Sequence, residues 1–399
     1  MHGDRKPARR RYRAIGVAAA GVAAALVAGC ASAGGSTATA TGTGGAPLQT
    51  IHLAASSATI SVGFANYAIE STLGCFRKAG YTLDVKAYPG TSQGLLVAMQ
   101  HGDADMAILG SDQFETLQDT IKKGGGNFPM VAFYESAYPF HWGLAVKPGS
   151  PIHSLNDLVG KTVGVDTLGN SSVPLATALL KAHGIDPNKV HFTATGVGAA
   201  LGNALDSGKV DAMFTSDTTI GTVLQTGVAL RFITDGPKPL YLDAAGIVAI
   251  SPTKSLTANR KAKVFAECTS EGNVFVKANP VAAAYIMLQQ FPTLTAPGQS
   301  LEQQLTRLGF ALKVRSKTLH SVDPTVPYGQ MNSGEFVANL QDVLGKPTAG
   351  VDASRFYTNQ FVPKLSDAQV ASIQHSAATY QVPGLSAPLQ LPALPANTP

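Results

Sequence analysis

The chain has 399 residues, 45% of them hydrophobic and only 14% charged, which excludes an intrinsically disordered polymer and allows a large buried core. A single core stops growing beyond about 250–300 residues, so a chain of this length is expected to divide into two lobes. The formal charge of +5 is confined to the N-terminus: six of the 30 basic and one of the 25 acidic side chains lie in residues 1–29, leaving 24 of each, and no Lys/Arg run follows Arg13 to gather nucleic-acid phosphates.

The first predicted element is an export signal over residues 1–29: a basic stretch to Arg13, then the apolar run 14–29, shorter than the roughly 20 residues of a permanent membrane span. Val27-Ala28-Gly29-Cys30 resembles a bacterial lipobox, which makes Cys30 the lipidated first residue of a mature chain. Arg9-Arg10-Arg11-Tyr12 resembles a twin-arginine signal, but Arg13 stands where an apolar residue is expected, and no export route is assigned. Residues 30–49 read as a flexible linker rich in Gly, Ser and Thr, and residues 383–399, with a Pro every few positions, as an extended tail.

Between these ends, short apolar runs alternate with segments of helical period, the pattern of a parallel α/β sheet. A first series predicts strands at 60–64, 82–88 and 106–109 with helices at 69–79 and 94–101. A second predicts strands at 162–165, 191–195 and 210–214 with helices at 173–183 and 199–207. Strands at 231–234 and 247–250 follow, then a mostly helical portion from 256 to about 374. Residues 50–140 are expected to form the first part of lobe 1, 141–240 to form lobe 2 with the crossovers, and 241–382 to complete lobe 1 with C-terminal helices. Ligands of open α/β sheets bind beyond the carboxyl ends of the strands, which directs attention to loops 65–67, 110–112, 167–172, 196–198 and 215–217.

With Cys30 lipidated, Cys75 and Cys268 remain, and in an oxidising exterior a disulfide or a pair of buried thiols is expected. No CxxC or His/Cys cluster accompanies them, so neither a metal nor a cofactor is expected. Gly90-Thr91-Ser92-Gln93-Gly94 fits the G-x-S-x-G nucleophile elbow, but no triad can be assembled from the scattered histidines, and a Gly-bracketed turn capping a helix is the favoured reading. Gly196-Val197-Gly198 fails as a dinucleotide fingerprint because Leu201 stands where a small residue is required. Gly169-Asn170-Ser171-Ser172 opens a helix whose unpaired N–H groups favour an anion or a polar oxygen; simple capping is the alternative. The aromatic stretch 133–142 contains the single Trp and reads either as a stacking wall for a ligand, with Tyr138, His141 and Trp142 as candidates, or as core.

The segments YTLDVKAYPGTSQGLLVAMQHGDADMAILGSD, SLNDLVGKTVGVDTLGNSSVPLATALLKAHGIDPNKVHFTATGVGAALGNALDSGKVDAMFTSD and DASRFYTNQFV, in that order, resemble the nitrate, sulfonate and taurine binding proteins of ABC importers, over residues 58–365. The resemblance implies an α/β, two-lobed type II periplasmic-binding-protein fold with a helical C-terminal portion, and a ligand trapped between the lobes by hinge closure. It implies ligand loops at Asn66 and Tyr67, Ser111 and Asp112, Asn170 to Ser172, and Thr215 to Asp217. The cysteine-rich iron motif of the related thiamin-pyrimidine synthases does not occur. No Arg lies in the expected cleft loops, which leaves neutral donors for a monoanion, while Tyr67, Tyr138 and Trp142 keep a pyrimidine open. The expectation is therefore a monomeric, non-enzymatic lipoprotein outside the cytoplasmic membrane that captures a small polar or anionic solute (sulfonate-, nitrate- or taurine-like) and passes it to an ABC permease and ATPase. A lipid-anchored hydrolase using Ser92 and a cell-surface sensor are its rivals.

Overall fold

The computed structural model describes residues 47–399, apart from 58, 89–91, 125–127, 139, 236–245, 259, 320–324, 396, 397 and 399, and the side chains of 257 and 258. The expected signal peptide, Cys30 with its expected lipid and nearly all of the expected linker lie outside the described residues, as do Gly90 and Thr91 of the Gly-bracketed turn and His320. No described helix is long and apolar enough to cross a membrane.

Two five-stranded sheets organise the chain. The first is built from β1 (Gln49–Ala55), β2 (Tyr81–Ala87), β3 (Met106–Gly110), β4 (Met130–Ala137) and, much later, β10 (Ile247–Pro252). The second contains β5 (Trp142–Val146), β6 (Thr162–Val165), β7 (His191–Ala194), β8 (Ala212–Ser216) and β9 (Arg231–Ile233). Their orders are β2-β1-β3-β10-β4 and β7-β6-β8-β5-β9. In each sheet four strands run in one direction, and the fifth, β10 or β5, lies between two of them and is antiparallel to both. The chain passes between lobes twice, from β4 to β5 and from β9 to β10.

Among the described residues, helices of eight or more residues are α1 (Ser92–His101), α2 (Ser111–Lys123), α3 (Ser172–Ala182), α4 (Ala199–Asp206), α5 (Asp217–Gln225), α6 (Lys261–Ala278), α7 (Pro280–Gln290), α8 (Leu301–Arg315) and α9 (Asp367–Ala378). The starts of the last three are written in the sequence. Asn279 caps α7 ahead of Pro280, and Ser300 with Gln303 and Ser366 with Gln369 form capping boxes that satisfy otherwise unpaired N–H groups.

The strands flank fully buried apolar layers. Leu144, Val163 and Phe214 pack with Leu175 and Leu179 of α3, and Leu109 and Val248 pack with Leu95 and Phe114 of lobe 1. A third cluster joins α7 and α8 to residues 62–69. The lobes also meet through helices: Gly221 of α5 lies so close to α8 that a Cβ there would sit 2.7 Å from the Ala311 Cα, which only glycine tolerates. Cys75 and Cys268 are joined as a disulfide that ties the turns before β2 to α6.

Three expectations need correction. Residues 60–64 are not a strand; Val62–Phe64 is a 3-10 turn, and the first strand is the earlier Gln49–Ala55. The helix expected at 69–79 is broken at Gly74, whose φ of 101° lies in the left-handed region. The Pro-rich C-terminus is extended but docked: Leu385, Leu389 and Leu391 pack against the helical core, and Lys313 donates to the Pro392 carbonyl at 2.8 Å.

Candidate functional site

A cavity of about 110 Å³ lies between the lobes at the carboxyl ends of the parallel strands. For scale, an engineered apolar cavity of roughly 150 Å³ accommodates benzene. Lobe 1 supplies Ser56 after β1, Gly110 at the end of β3, Gln113 of α2 and Tyr67 from the short helix Ala65–Ala68. Lobe 2 supplies Asp166 directly after β6, Asn170 and Ser171 at the start of α3, Ser216 at the end of β8 and Thr218 in the first turn of α5. Phe140 and Trp142 come from the crossover, and Arg315 from the end of α8.

The lobes touch across this space. The Ser171 hydroxyl donates to Asp112 Oδ1 at 2.5 Å, and the Gln113 amide donates to the Gly169 carbonyl at 2.9 Å and to Ser56 Oγ at 3.0 Å. A Cβ at Gly110 would collide with the Ser171 hydroxyl and the Asp112 carboxyl, so glycine there permits this approach.

Its electrostatics are set by three buried carboxyl groups and one guanidinium. Asp166 is 7% exposed; burial pushes its pKa up to about 7, against the opposing effect of the Thr215 hydroxyl donating to Oδ1 at 2.6 Å. Burial likewise pushes Asp112 up to about 6, opposed by the Ser171 hydroxyl. Arg315 gives its charge to Asp217, with Nε 2.8 Å from Oδ2 and Nη2 2.8 Å from Oδ1. It also donates to the Gly63 carbonyl at 3.2 Å and lies 4.6 Å over the Phe140 ring. Burial raises the Tyr67 phenol to about 12, and its hydroxyl is hydrogen-bonded to Ser136. Trp142 is stacked on Phe214, and its buried indole N–H has no partner among the described residues.

Of the sequence-derived candidates, Tyr67, Trp142, Asn170 and Ser171 line the cavity. Asp112 stands behind Ser171. Asn66 is buried and donates to Asn273; Ser111 accepts from Asn339. The Ser172 hydroxyl turns back to Asn170, Thr215 serves Asp166, and Asp217 is consumed by Arg315. The His141 carbonyl accepts from the Asp217 N–H, and Tyr138 borders a different cavity. For these residues the expected direct contact with a ligand gives way to positions behind or away from the lining. Ser56, Gln113, Asp166 and Arg315 were not foreseen. Asp166 was within reach of the strand-end rule, since it is the residue between β6 and the loop 167–172. Arg315 carries no such signal, because only tertiary packing brings the end of α8 to the cleft.

Ser92 opens α1 and does not line this cavity, and no hydrogen bond joins it to a histidine among the described residues.

Two α/β lobes joined by two crossings, with a cavity between the strand ends, define the architecture of a type II periplasmic-binding protein. A family profile described as NMT1/THI5 like matches residues 61–283, and the chain belongs to that family. Among solved structures it is similar to the ligand-binding component of an ABC-type import system from Staphylococcus aureus, with 14% identity, a TM-score of 0.52, and 78% of this chain and 97% of that chain covered. It is also similar to the alkanesulfonate-binding protein from Xanthomonas axonopodis pv. citri bound to MOPS, with 15% identity, a TM-score of 0.52 and coverage of 82% and 98%. A Candida albicans protein described as having the generic periplasmic binding protein fold matches with 15% identity, a TM-score of 0.50 and coverage of 83% and 96%. At these identities the likeness shows the fold. No match was found among curated proteins.

Proposed function

We propose that this chain is the extracytoplasmic solute-binding component of an ABC importer, without catalytic activity of its own. The observation that carries this reading is the cavity walled by both lobes, with Ser171 of one bonded to Asp112 of the other. A ligand touching both walls binds the closed state more tightly than the open one and shifts the population towards it. The Staphylococcus aureus neighbour's place in an ABC-type import system supports a permease and ATPase as partners. The signal and lipobox readings support anchoring through Cys30 on the outer face of the cytoplasmic membrane.

The solute is small and polar. The alkanesulfonate-binding neighbour supports a sulfonate-, nitrate- or taurine-like ligand, for which the Ser and Thr hydroxyls and the Trp142 N–H are donors. Asp166 adds a requirement. Because Arg315 is paired to Asp217, a purely anionic solute would face a carboxyl group with no free cation beside it among the described residues, whereas a solute that also carries a donor or ammonium group satisfies both. Taurine has this form.

A thermal-shift panel of nitrate, alkyl sulfonates, taurine, bicarbonate and aminopyrimidines tests the reading, because a ligand selective for the folded state raises the melting temperature. A saturable rise with one class is the expected result. Failure of the whole panel, together with ester turnover abolished by Ser92→Ala, would replace this reading with the hydrolase.

A further inference from the structure

A second cavity, of about 200 Å³, lies behind the wall of the cleft, between the end of β4 and the segment 326–335. Glu135 of β4 and Glu335 of the short helix Ser333–Ala338 both border it, and their carboxyl groups are within hydrogen-bonding reach of each other. Glu335 is positioned by Asn332, whose amide donates to Glu335 Oε1 and whose Oδ1 accepts from the Glu335 N–H at 3.2 Å. Glu135 is only 6% exposed. Oε2 of Glu135 and Oε2 of Glu335 are buried, and among the described residues neither accepts a hydrogen bond from an amide or hydroxyl donor. Among the described residues no Lys or Arg lines the cavity.

Two carboxyl groups side by side in a buried place must share a proton or share a cation, because two bare charges there repel and are poorly solvated. We propose that Glu135 and Glu335 form a binding site for a hard divalent cation of the Ca²⁺ or Mg²⁺ kind, held by carboxylate oxygens and completed by water. Among the described residues the donors are all oxygen, with no imidazole or thiolate lining the cavity, a set that suits hard cations better than Zn²⁺ or Cu²⁺. The space suits an ion that keeps part of its hydration, since each water occupies about 30 Å³. Ser136, the neighbour of Glu135, is hydrogen-bonded to Tyr67 of the solute cleft, so the ion would brace the strand that backs that wall.

The test is calorimetric titration of the chelator-treated full chain with CaCl₂ and with MgCl₂, alongside melting temperatures in the same salts and in NaCl of equal ionic strength. The wild type is expected to bind one of the two divalent ions saturably and to melt at higher temperature with it, while NaCl does not reproduce the rise. Glu335→Gln and Glu135→Gln should each weaken binding at least tenfold. If Glu135→Gln does not fold, the partly exposed Glu335→Gln decides. Absence of saturable binding by the wild type, or undiminished binding by Glu335→Gln, overturns the site.

Discussion

Ser171 and Asp112 belong to different lobes, and the hydroxyl of the first donates to the carboxyl of the second at 2.5 Å. This bond exists only when the lobes are together, so it adds to the closed state and not to the open one. Ser171→Ala leaves Asp112 buried without its donor, at a cost of about 1–3 kcal/mol. Affinity for any solute that the wild type captures should therefore fall roughly 5- to 150-fold, with little change in the stability of either lobe. Calorimetric titration beside a denaturant melt separates the two effects.

Gly110→Ala is a sharper version of the same test. The glycine φ of −68° suits alanine, so the strand end is not strained, but the added methyl meets Ser171 and Asp112. The variant should fold with a near-native far-ultraviolet spectrum and lose solute binding. Retained binding would show that closure does not bring these groups as close as described.

The pH dependence of stability follows from Asp166. Its folded pKa is raised to about 7, above the ordinary value of 3.8, so the folded state holds a proton that the unfolded chain has released. Stability from this group is whole below about pH 4, falls as pH rises towards about 7, and levels off above. Asp112, raised to about 6, adds a loss over the lower part of the same window. Asp166→Asn should flatten the fall in melting temperature between pH 5 and pH 7.5, and should melt higher than the wild type at the upper end.

Arg315 and Asp217 form a buried pair that also holds Gly63 and covers Phe140. Removing one member leaves an uncompensated buried charge, so Arg315→Met is expected to lose about 3–5 kcal/mol in a urea melt. Arg315→Met with Asp217→Leu should recover part of that loss. Equal destabilisation by the single and double variants would contradict the pairing.

The disulfide between Cys75 and Cys268 closes a loop across a sequence separation of 193, for which the chain-entropy model gives about 5 kcal/mol. Cys75→Ser with Cys268→Ser should lower the melting temperature of the chain, and reduction of the wild type should lower it in the same way.

Much of this architecture was legible because the repeated strand and helix periods of 82–109 and 162–214 state it locally. The exceptions are equally physical. ISVGF at 60–64 has the apolar, β-branched look of a strand, but Gly63 packs beside Thr218 and Arg315, and the backbone turns to meet them. Residues 50–55 fall within the expected lobe 1 but carry no strand expectation, because the pairing partners of this strand, β2 and β3, lie far along the chain. In the cleft, Ser171 and Asn170 were visible from a helix start, and Tyr67 and Trp142 from their residue types. Asp166 lay one residue before the loop under inspection, and the meeting of Arg315 with Asp217 depends on the packing of α8 against α5.

The single tryptophan gives the most direct test of the central claim, since Trp142 lines the interlobe cavity and reports on it without competing signals. Titrating the panel of small polar solutes while recording Trp142 emission should give a saturable change with one class, and Ser171→Ala should shift that curve to higher concentration. A ligand that raises the melting temperature of the chain yet leaves Trp142 emission and its Ser171 dependence unchanged would contradict capture in this cleft.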